Sequence, residues 1–219
     1  MKKALIINGS EKRRPMAEGR LAHYVTRLIA EKLGNNFNVS ITDVAEGYDI
    51  EGERKKFLDA DIIIYHTPIF WFNVSSVLKK YIDDVFAGGV FFIGRQPYGS
   101  GGLFTDKVYM ISTTWNAQSS DLSDKHGFLG GRTADQILLP FHLANQYTGM
   151  RPLKTLSLHD VVHNPNIIEY KKKVTDHLIS LFQRNDEARP KADMRVGVKK
   201  TPDSSVFLCN TDLGARERT

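Results

Sequence analysis

The segment that most constrains the fold is residues 61–66, DIIIYH, where three consecutive isoleucines precede a tyrosine. A strand covered on one face alternates apolar and polar residues, whereas an uninterrupted β-branched run is typical of a strand buried on both faces. Strands of that kind occur in parallel sheets that carry helices on both sides. The segment therefore favours an α/β fold.

The rest of the chain alternates between short apolar runs and stretches with helical spacing. Strands are predicted at residues 3–8, 38–42, 61–66, 107–113 and 153–158, and helices at residues 19–33, 51–58, 74–86, 133–147 and 167–182. Pro140 should bend the fourth helical stretch or start part of it. Five alternations of strand and helix predict a five-stranded parallel sheet with right-handed crossovers.

The length and the end of the pattern set the domain organisation. A chain of 219 residues suits one sizeable core with an appendage. After Arg184 the sequence loses its period and mixes charges with Pro190 and Pro202. We therefore expect one domain over residues 1–184 and a mobile tail over residues 185–219.

Composition excludes several function classes. The net charge of +5 is mild, and no basic stripe indicates a nucleic-acid partner. Cys209 is the only cysteine, and no histidines or carboxylates show the spacing of metal ligands, so no metal site is expected. No apolar run approaches the roughly 20 residues that span a bilayer, and residues 1–9 lack the apolar core of a secretory signal. These features predict a cytoplasmic protein without integral membrane association.

In a parallel sheet of this kind, ligands bind outside the carboxyl ends of the strands. The first strand is followed by residues 8–20, where Gly9, Ser10 and several basic residues lead into a helix. Free backbone N–H groups at a helix amino terminus attract phosphate, although the segment matches neither GxGxxG nor a P-loop. A phosphate cradle and a plain strand-to-helix connection both fit this segment.

The two tryptophans of the chain follow neighbouring strands at the same edge. Trp71 lies in residues 67–72 (TPIFWF) and Trp115 in residues 113–118 (TTWNAQ). Each alone suits a core aromatic that closes the end of the sheet. Two together indicate walls around a flat apolar ring with a polar edge.

Several segments together resemble the flavodoxin-like NAD(P)H:quinone oxidoreductases. They are residues 68–86, the YGSGG of residues 98–102, the TWNA of residues 114–117 and the LPFHLANQ of residues 139–146. The resemblance implies sheet order 2-1-3-4-5 and FAD across the carboxyl edge of the sheet. It also implies NADPH or NADH as hydride donor, a quinone as acceptor and a homodimer whose partner completes the site. The sequence departs from the family at Ile69 and Phe70, where relatives carry other residues, and at residues 16–18, which lack small polar side chains.

The resemblance also implies which residues serve the site. The catalytic candidates are Tyr98, Trp115 and Asn116, which would supply donors to the reduced flavin. The segment expected near the pyrophosphate consists of Ala17, Glu18, Gly19, Arg20, Leu21, Ala22, His23 and Tyr24. The segments expected near the isoalloxazine consist of Pro68, Ile69, Phe70, Trp71, Tyr98, Thr114, Trp115, Asn116 and Ala117. His126 also follows the fourth strand but fits an exposed loop histidine better, and His142 fits a packed, hydrogen-bonded one.

The function implied is two-electron transfer of hydride from NAD(P)H through FAD to quinones by a ping-pong scheme. An FMN-dependent azo- or nitroreductase of the same architecture remains open, as does a flavin-binding regulatory subunit of a potassium-efflux system. A one-electron carrier fits least, because this chain is basic. The apolar residues 91–93 (FFI) have no role in a predicted element, so we expect them in a homodimer interface.

Overall fold

Parallel strands form one twisted sheet at the centre of the protein. The computed structural model describes residues 1–13 and 18–182. The strands are β1 (Lys2–Asn8), β2 (Phe37–Asp43), β3 (Ile62–Pro68), β4 (Val108–Thr114), β5 (Arg151–Pro152) and β6 (Leu156–Leu158). Their order is β2-β1-β3-β4-β5, with β6 also paired to β4. The predicted fold class and strand order are confirmed.

Seven α-helices are present in the described residues. They are α1 (Arg20–Leu33), α2 (Ile50–Asp59), α3 (Ser76–Val85), α4 (Ser119–Ser123), α5 (Ala134–Ile137), α6 (Leu139–Tyr147) and α7 (Ile167–Phe182). The helix expected over residues 133–147 is two helices, because Leu138 leaves the helical conformation and Pro140 stands in the first turn of α6.

The sheet divides the core into two layers, as the isoleucine run predicts. Ile63 and Tyr65 of β3 pack in one layer, together with residues of α2 and α3. Ile62 and Ile64 pack in the other layer, together with residues of α1 and α7. All four side chains are at most 1% exposed, so β3 is buried on both faces.

The last predicted strand, over residues 153–158, is two short strands in the structure. Pro152 pairs with Tyr109 and Leu156 pairs with Ser112, so four steps along this segment oppose three along β4. The extra residue is a bulge that interrupts the pairing and divides the predicted strand into β5 and β6. A bulge of one residue leaves no mark on the apolar pattern.

The prediction that residues 91–93 lie in an interface is wrong for Phe91. Its ring is fully buried within the chain, with ring centroids 5.2 Å from Phe57, 4.5 Å from Phe86 and 4.7 Å from Phe104. Only Ile93 of the three is largely exposed, at 47%. The long connection between α3 and β4 folds back over the sheet, and its aromatic side chain completes the core there.

Candidate functional site

The carboxyl ends of β1, β3 and β4 lie side by side. The chain leaves β1 toward β2 on one side and leaves β3 toward β4 on the other. The crevice between β1 and β3 is therefore the point where the direction of winding reverses, and ligands of open α/β sheets bind at such points. The three loops that the sequence singles out all begin at this edge.

The loop after β1 is drawn tightly against the start of α3. Gly9 donates its N–H to the carbonyl of His66, and its own carbonyl accepts a hydrogen bond from the Ser75 hydroxyl. A Cβ at position 9 would lie 2.7 Å from the Cβ of Leu78, so glycine is required for this approach. Ser75 also caps α3 by accepting from the Leu78 N–H. The crevice thus has a fixed floor.

The amino terminus of α1 opens onto the same crevice. Gly19 precedes α1 in the left-handed conformation with φ +73°, and no side chain among the described residues caps the helix. The Ser10 hydroxyl is buried and finds no hydrogen-bond partner within residues 1–13 and 18–182. An uncapped helix start and an unpartnered hydroxyl together suit an anionic group such as phosphate.

The aromatic loop after β3 closes in a strained turn. Phe70 and Asn73 exchange two backbone hydrogen bonds of 3.1 Å, and the two residues between them, Trp71 and Phe72, have φ of 51° and 61°. A turn with two positive φ values normally carries Asn-Gly, because bulky side chains adopt this conformation at a cost. Strain of this kind concentrates at functional sites. It places the Trp71 indole on the surface, 92% exposed.

Two neighbouring contacts hold this turn. The Arg13 guanidinium lies 4.8 Å above the centroid of the Phe70 ring, a cation–π contact between the first and second loops. The Phe72 ring lies 5.4 Å from that of Phe128, which is 84% exposed. Large aromatic surfaces therefore line the carboxyl edge on both sides of Trp71.

The loop after β4 differs from the pair of exposed walls that the two tryptophans predict. The Trp115 indole is 2% exposed and donates its N–H to the Thr113 hydroxyl at 2.7 Å. Its ring stacks on that of His159. Asn116 is exposed beside it. Trp115 is therefore a core aromatic, and Asn116 is the exposed side chain that follows it in this turn.

Tyr98 lies away from this edge within the single chain. It is 86% exposed and lines a cavity of about 730 Å³ together with Ile82 and Phe86, at the carboxyl-terminal end of α3. Since α3 begins at the carboxyl edge of the sheet and runs about 15 Å, its other end lies near the opposite edge. Tyr98 is therefore distant from residues 114–117 of its own chain, and its place in the site stays a prediction that a partner subunit would have to complete.

A row of buried polar side chains underlies the crevice. Asn8, His66 and Ser112 are in register on three adjacent strands. The Nδ1 atom of His66 is 2.9 Å from the Ser112 hydroxyl, and its Nε2 atom has no partner among the described residues. Burial, and to a lesser extent the charge of His23, lower the pKa of His66 to about 3. His66 is therefore neutral at physiological pH.

Other histidines have defined partners. His23, in the first turn of α1, lies 3.3 Å from the Asn8 amide and 3.1 Å from the Asp43 carboxylate. His142 is buried and lies 2.8 Å from the Tyr109 hydroxyl and 3.3 Å from Asp135. The prediction of a packed, hydrogen-bonded His142 is confirmed. The hydrogen bond with His142 lowers the pKa of Asp135, and burial raises the pKa of Tyr109.

The structure brings most predicted site residues to one edge. The segment at the start of α1 has Glu18 paired with Arg20 at the surface, and Ala22 is buried against the sheet. Ala17, like the tail at residues 185–219, lies outside the described residues. The residues of this edge are Glu18, Gly19, Arg20, Leu21, Ala22, His23, Tyr24, Pro68, Ile69, Phe70, Trp71, Thr114, Trp115, Asn116 and Ala117.

Sequence reasoning missed His66, Phe128 and the Arg13–Phe70 contact. His66 follows the isoleucine run, and a histidine in a strand predicted to be buried on both faces indicates a buried polar group at the end of that strand. Phe128 stands in a glycine-rich loop without a period, and its contact with Phe72 depends on how two distant loops approach. The contact of Arg13 with Phe70 likewise has no local signature.

The described residues contain neither a cluster of metal ligands nor a helix that could span a membrane. Within residues 1–13 and 18–182, no three histidine, cysteine or carboxylate side chains are placed to hold a metal ion. In the same part of the chain, none of the helices has both the length and the apolar character of a membrane span.

Known proteins of related sequence have the same fold. A family model described as the flavodoxin-like fold matches residues 2–178. NADPH:quinone oxidoreductase MdaB from Haemophilus influenzae is 32% identical over 170 residues, which cover 73% of this chain and 88% of that protein. The chain therefore belongs to the flavodoxin-like family, within the group related to NAD(P)H:quinone oxidoreductases. The resemblance found in the sequence is confirmed.

Solved structures share the architecture at low identity. A proposed quinone reductase from Klebsiella pneumoniae has a TM-score of 0.68 at 21% identity, over 84% of this chain and 86% of that one. An FMN-dependent NADH-azoreductase from Bacillus anthracis, solved with FMN, has a TM-score of 0.56 at 13% identity, over 84% and 99%. At these identities the likeness shows the fold alone.

Proposed function

We propose that the protein is a flavin-dependent oxidoreductase that transfers hydride from NAD(P)H to quinones. The observation that carries the proposal is the strained Trp71–Phe72 turn, which holds an exposed indole at the same edge of the sheet as the uncapped start of α1. A flat ring system attached to phosphate needs an aromatic face and an anion site along one edge. The relationship to NADPH:quinone oxidoreductase MdaB supports the same activity.

The residues present fit a flavin. The buried hydroxyl of Ser10, unpartnered within the described residues, and the backbone N–H groups at the start of α1 would hold its phosphate. Trp71 and Phe70 would contact its ring, and the backbone of residues 114–117 would face its polar edge. A bound flavin accepts hydride from a nicotinamide and gives two electrons to a quinone.

The chain's own residues would serve this chemistry by position. The Arg13 guanidinium adds positive charge close to the ring site, where it favours the negative charge of a reduced cofactor. The Asn116 amide is exposed at the same edge and is free to donate a hydrogen bond. The neutral His66 adds no charge to the floor of the crevice.

We propose FAD as the cofactor, following the resemblance, with FMN as the alternative. FMN is favoured by the azoreductase neighbour that was solved with it. Both would place phosphate at the start of α1. Release of the cofactor by heat, followed by chromatography, distinguishes them.

Steady oxidation of NADPH or NADH in the presence of a quinone identifies an enzyme, and its absence with a firmly bound flavin would favour a regulatory subunit. A cytoplasmic location stays a prediction.

Replacement of Trp71 tests the turn. Trp71→Gly should leave the thermal midpoint unchanged or higher, because glycine adopts a positive φ without strain. It should weaken flavin binding at least about fivefold, since an aromatic contact is worth on the order of 1 kcal/mol beyond its buried area. Titration of apoprotein with FAD and FMN measures both affinities. Trp71→Phe, which keeps a ring, is the control, and equal affinities in all three proteins would contradict the proposed stacking.

Steady-state kinetics test the order of the two half-reactions. If nicotinamide and quinone use the same place above Trp71 in turn, double-reciprocal plots at several quinone concentrations should be parallel. The quinone should also compete with NADPH. Intersecting plots would show that both substrates bind together, and the shared place would then be wrong.

The position of Tyr98 supports a homodimer. Its exposed ring and the apolar cavity beside it lie far from the crevice of their own chain. Under the proposed function, a second copy of the chain would pack against this cavity. The crevice of that second copy would then receive Tyr98 from the first. Leu143, 54% exposed on α6, lines the same cavity.

A charge at Leu143 tests this arrangement. Leu143→Glu buries a carboxylate in the proposed interface but leaves it in water in the monomer. Light scattering should give about twice the chain mass of 24.8 kDa for the parent protein and the chain mass itself for the variant. Ile179→Glu is the control for an exposed apolar residue outside the cavity lining, because Ile179 lies on α7 at the other face of the sheet. A monomeric parent protein with full quinone reductase activity would contradict the dimer.

A further inference from the structure

The two edges of the sheet differ in how they are protected from pairing with another chain. At one edge, β5 and β6 are only two and three residues long, and a bulge separates them. Pro152 has no backbone N–H, and Lys154 stands between the two strands in the sequence. Short strands, bulges, proline and lysine are the means by which natural proteins keep an edge from pairing. This edge is therefore protected.

The opposite edge, formed by β2, has none of this protection. All seven residues of β2 (FNVSITD) pair with β1 in an unbroken register, and no strand of the described residues pairs with the other side of β2. The strand contains no proline, lysine or arginine, and its one charged residue, Asp43, is the last. Asn38, Ser40 and Ile41 are exposed, Ile41 at 44%. A long, exposed edge of this kind is a template for a further strand.

The side chains of β2 define the strand that fits beside it. Val39 packs in the core layer that contains residues of α1 and α7, and alternation places Ile41 on the same face. Asn38, Ser40 and Thr42 point to the opposite face. A matching strand has β-branched residues opposite the first group and small polar residues opposite the second. The sequence of β2 itself has this pattern.

A second copy of β2 fits in the antiparallel direction, about a two-fold axis at Ser40. Antiparallel pairs are slightly more stable per residue than parallel pairs, and this register uses all seven residues of the strand. It sets Val39 of each copy opposite Ile41 of the other. Asp43 falls opposite Phe37, so the two copies of Asp43 stand about 20 Å apart and do not repel each other. The strand is therefore complementary to itself.

We propose that β2 is a contact surface for a second copy of this chain, through an antiparallel strand pair centred on Ser40 that continues the sheet from one copy to the other. The contact uses the same surface on both copies, so it closes with two. It is separate from the cavity at Leu143 and does not depend on the proposed function. One strand pair buries a small area, so its dissociation constant is on the order of 0.1–1 mM. Light scattering of Leu143→Glu at micromolar concentration therefore does not detect it.

Cysteine cross-linking of the full chain tests the register. In a Cys209→Ser background, Ser40→Cys places two sulfur atoms across the axis, where opposed Cα atoms lie about 4.5–5.5 Å apart, within the range that a disulfide spans. Asn38→Cys is the matched control, because residue 38 is also exposed on that face but lies about 14 Å from its counterpart. With a mild oxidant and about 1 mM protein, Ser40→Cys should form the linked dimer at least about tenfold faster than Asn38→Cys.

A charge on the edge tests the pairing itself. Ile41→Lys adds the residue type that protects natural edge strands, and it should slow the cross-linking of Ser40→Cys at least about tenfold. Leu58→Lys, at an apolar residue of α2 that is 52% exposed, should leave the rate unchanged. Thermal midpoints equal to that of the parent protein show that the variants fold. The proposal is overturned if neither cysteine variant cross-links, if both do so at the same rate, or if Ile41→Lys has no effect.

Discussion

Gly102→Ala is expected to lower the free energy of unfolding by about 3 kcal/mol. A Cβ at this position would lie 2.6 Å from the Cα atom of Gly149 and still closer to its nitrogen. These are backbone atoms, so no side-chain rotation relieves the overlap. Gly102 also begins the segment whose Phe104 packs on Phe91. Urea denaturation of the two proteins measures the difference.

Gly94→Ala is the matched control in the same connection. No atom of the described residues lies within 4 Å of a Cβ built there, and its φ is not in the left-handed range. This substitution should change stability by at most about 0.5 kcal/mol. Equal effects of the two substitutions would show that the glycines of the YGSGG motif are not required by packing.

His66→Asn is expected to remove much of the loss of stability in mild acid. Burial lowers the pKa of His66 from 6.5 in the unfolded chain to about 3 in the fold. Between these values the unfolded state binds a proton that the folded state excludes, so stability is full above pH 6.5 and falls as the pH drops toward 3. The difference of 1.5 pH units at pH 5 corresponds to about 2 kcal/mol.

The measurement compares denaturation at pH 7.5 and pH 5. The parent protein should lose about 2 kcal/mol more than His66→Asn over this interval, whatever the variant's stability at pH 7.5. His159 and His177 also have pKa values lowered by burial and act in the same direction in both proteins, so the difference isolates His66. His163→Asn, at an exposed position, should match the parent protein. If His66→Asn leaves the pH dependence of stability unchanged, folding does not lower the pKa of His66, and the prediction is wrong.

Both predictions concern groups that no local pattern reveals. The clash at Gly102 depends on the chain returning at Gly149, 47 residues later. The neutrality of His66 depends on its complete burial, with β1 and β4 on either side of it in the sheet. Each effect is large because close-packed interiors cannot move aside or admit water at small cost.

The sequence by itself determined the architecture and the edge that carries the candidate site. Apolar spacing near 3.6 residues and uninterrupted β-branched runs are local properties, and they predict the helices, the buried strands and a parallel sheet. Parallel strands end at one edge, so the loops after β1, β3 and β4 had to meet there. The strand order followed from the resemblance carried by four short motifs.

Only the tertiary structure decided which side chains face a ligand. Trp71 and Trp115 occupy equivalent places in the sequence pattern, but a strained turn exposes one, and contacts with Thr113 and His159 bury the other. Phe91 is apolar and lies outside every predicted element, which suggested an interface, but its side chain fills the core. Tyr98 lies at the far end of α3 from the crevice. Each outcome depends on contacts between segments distant in the chain, and period and propensity carry no information about such contacts.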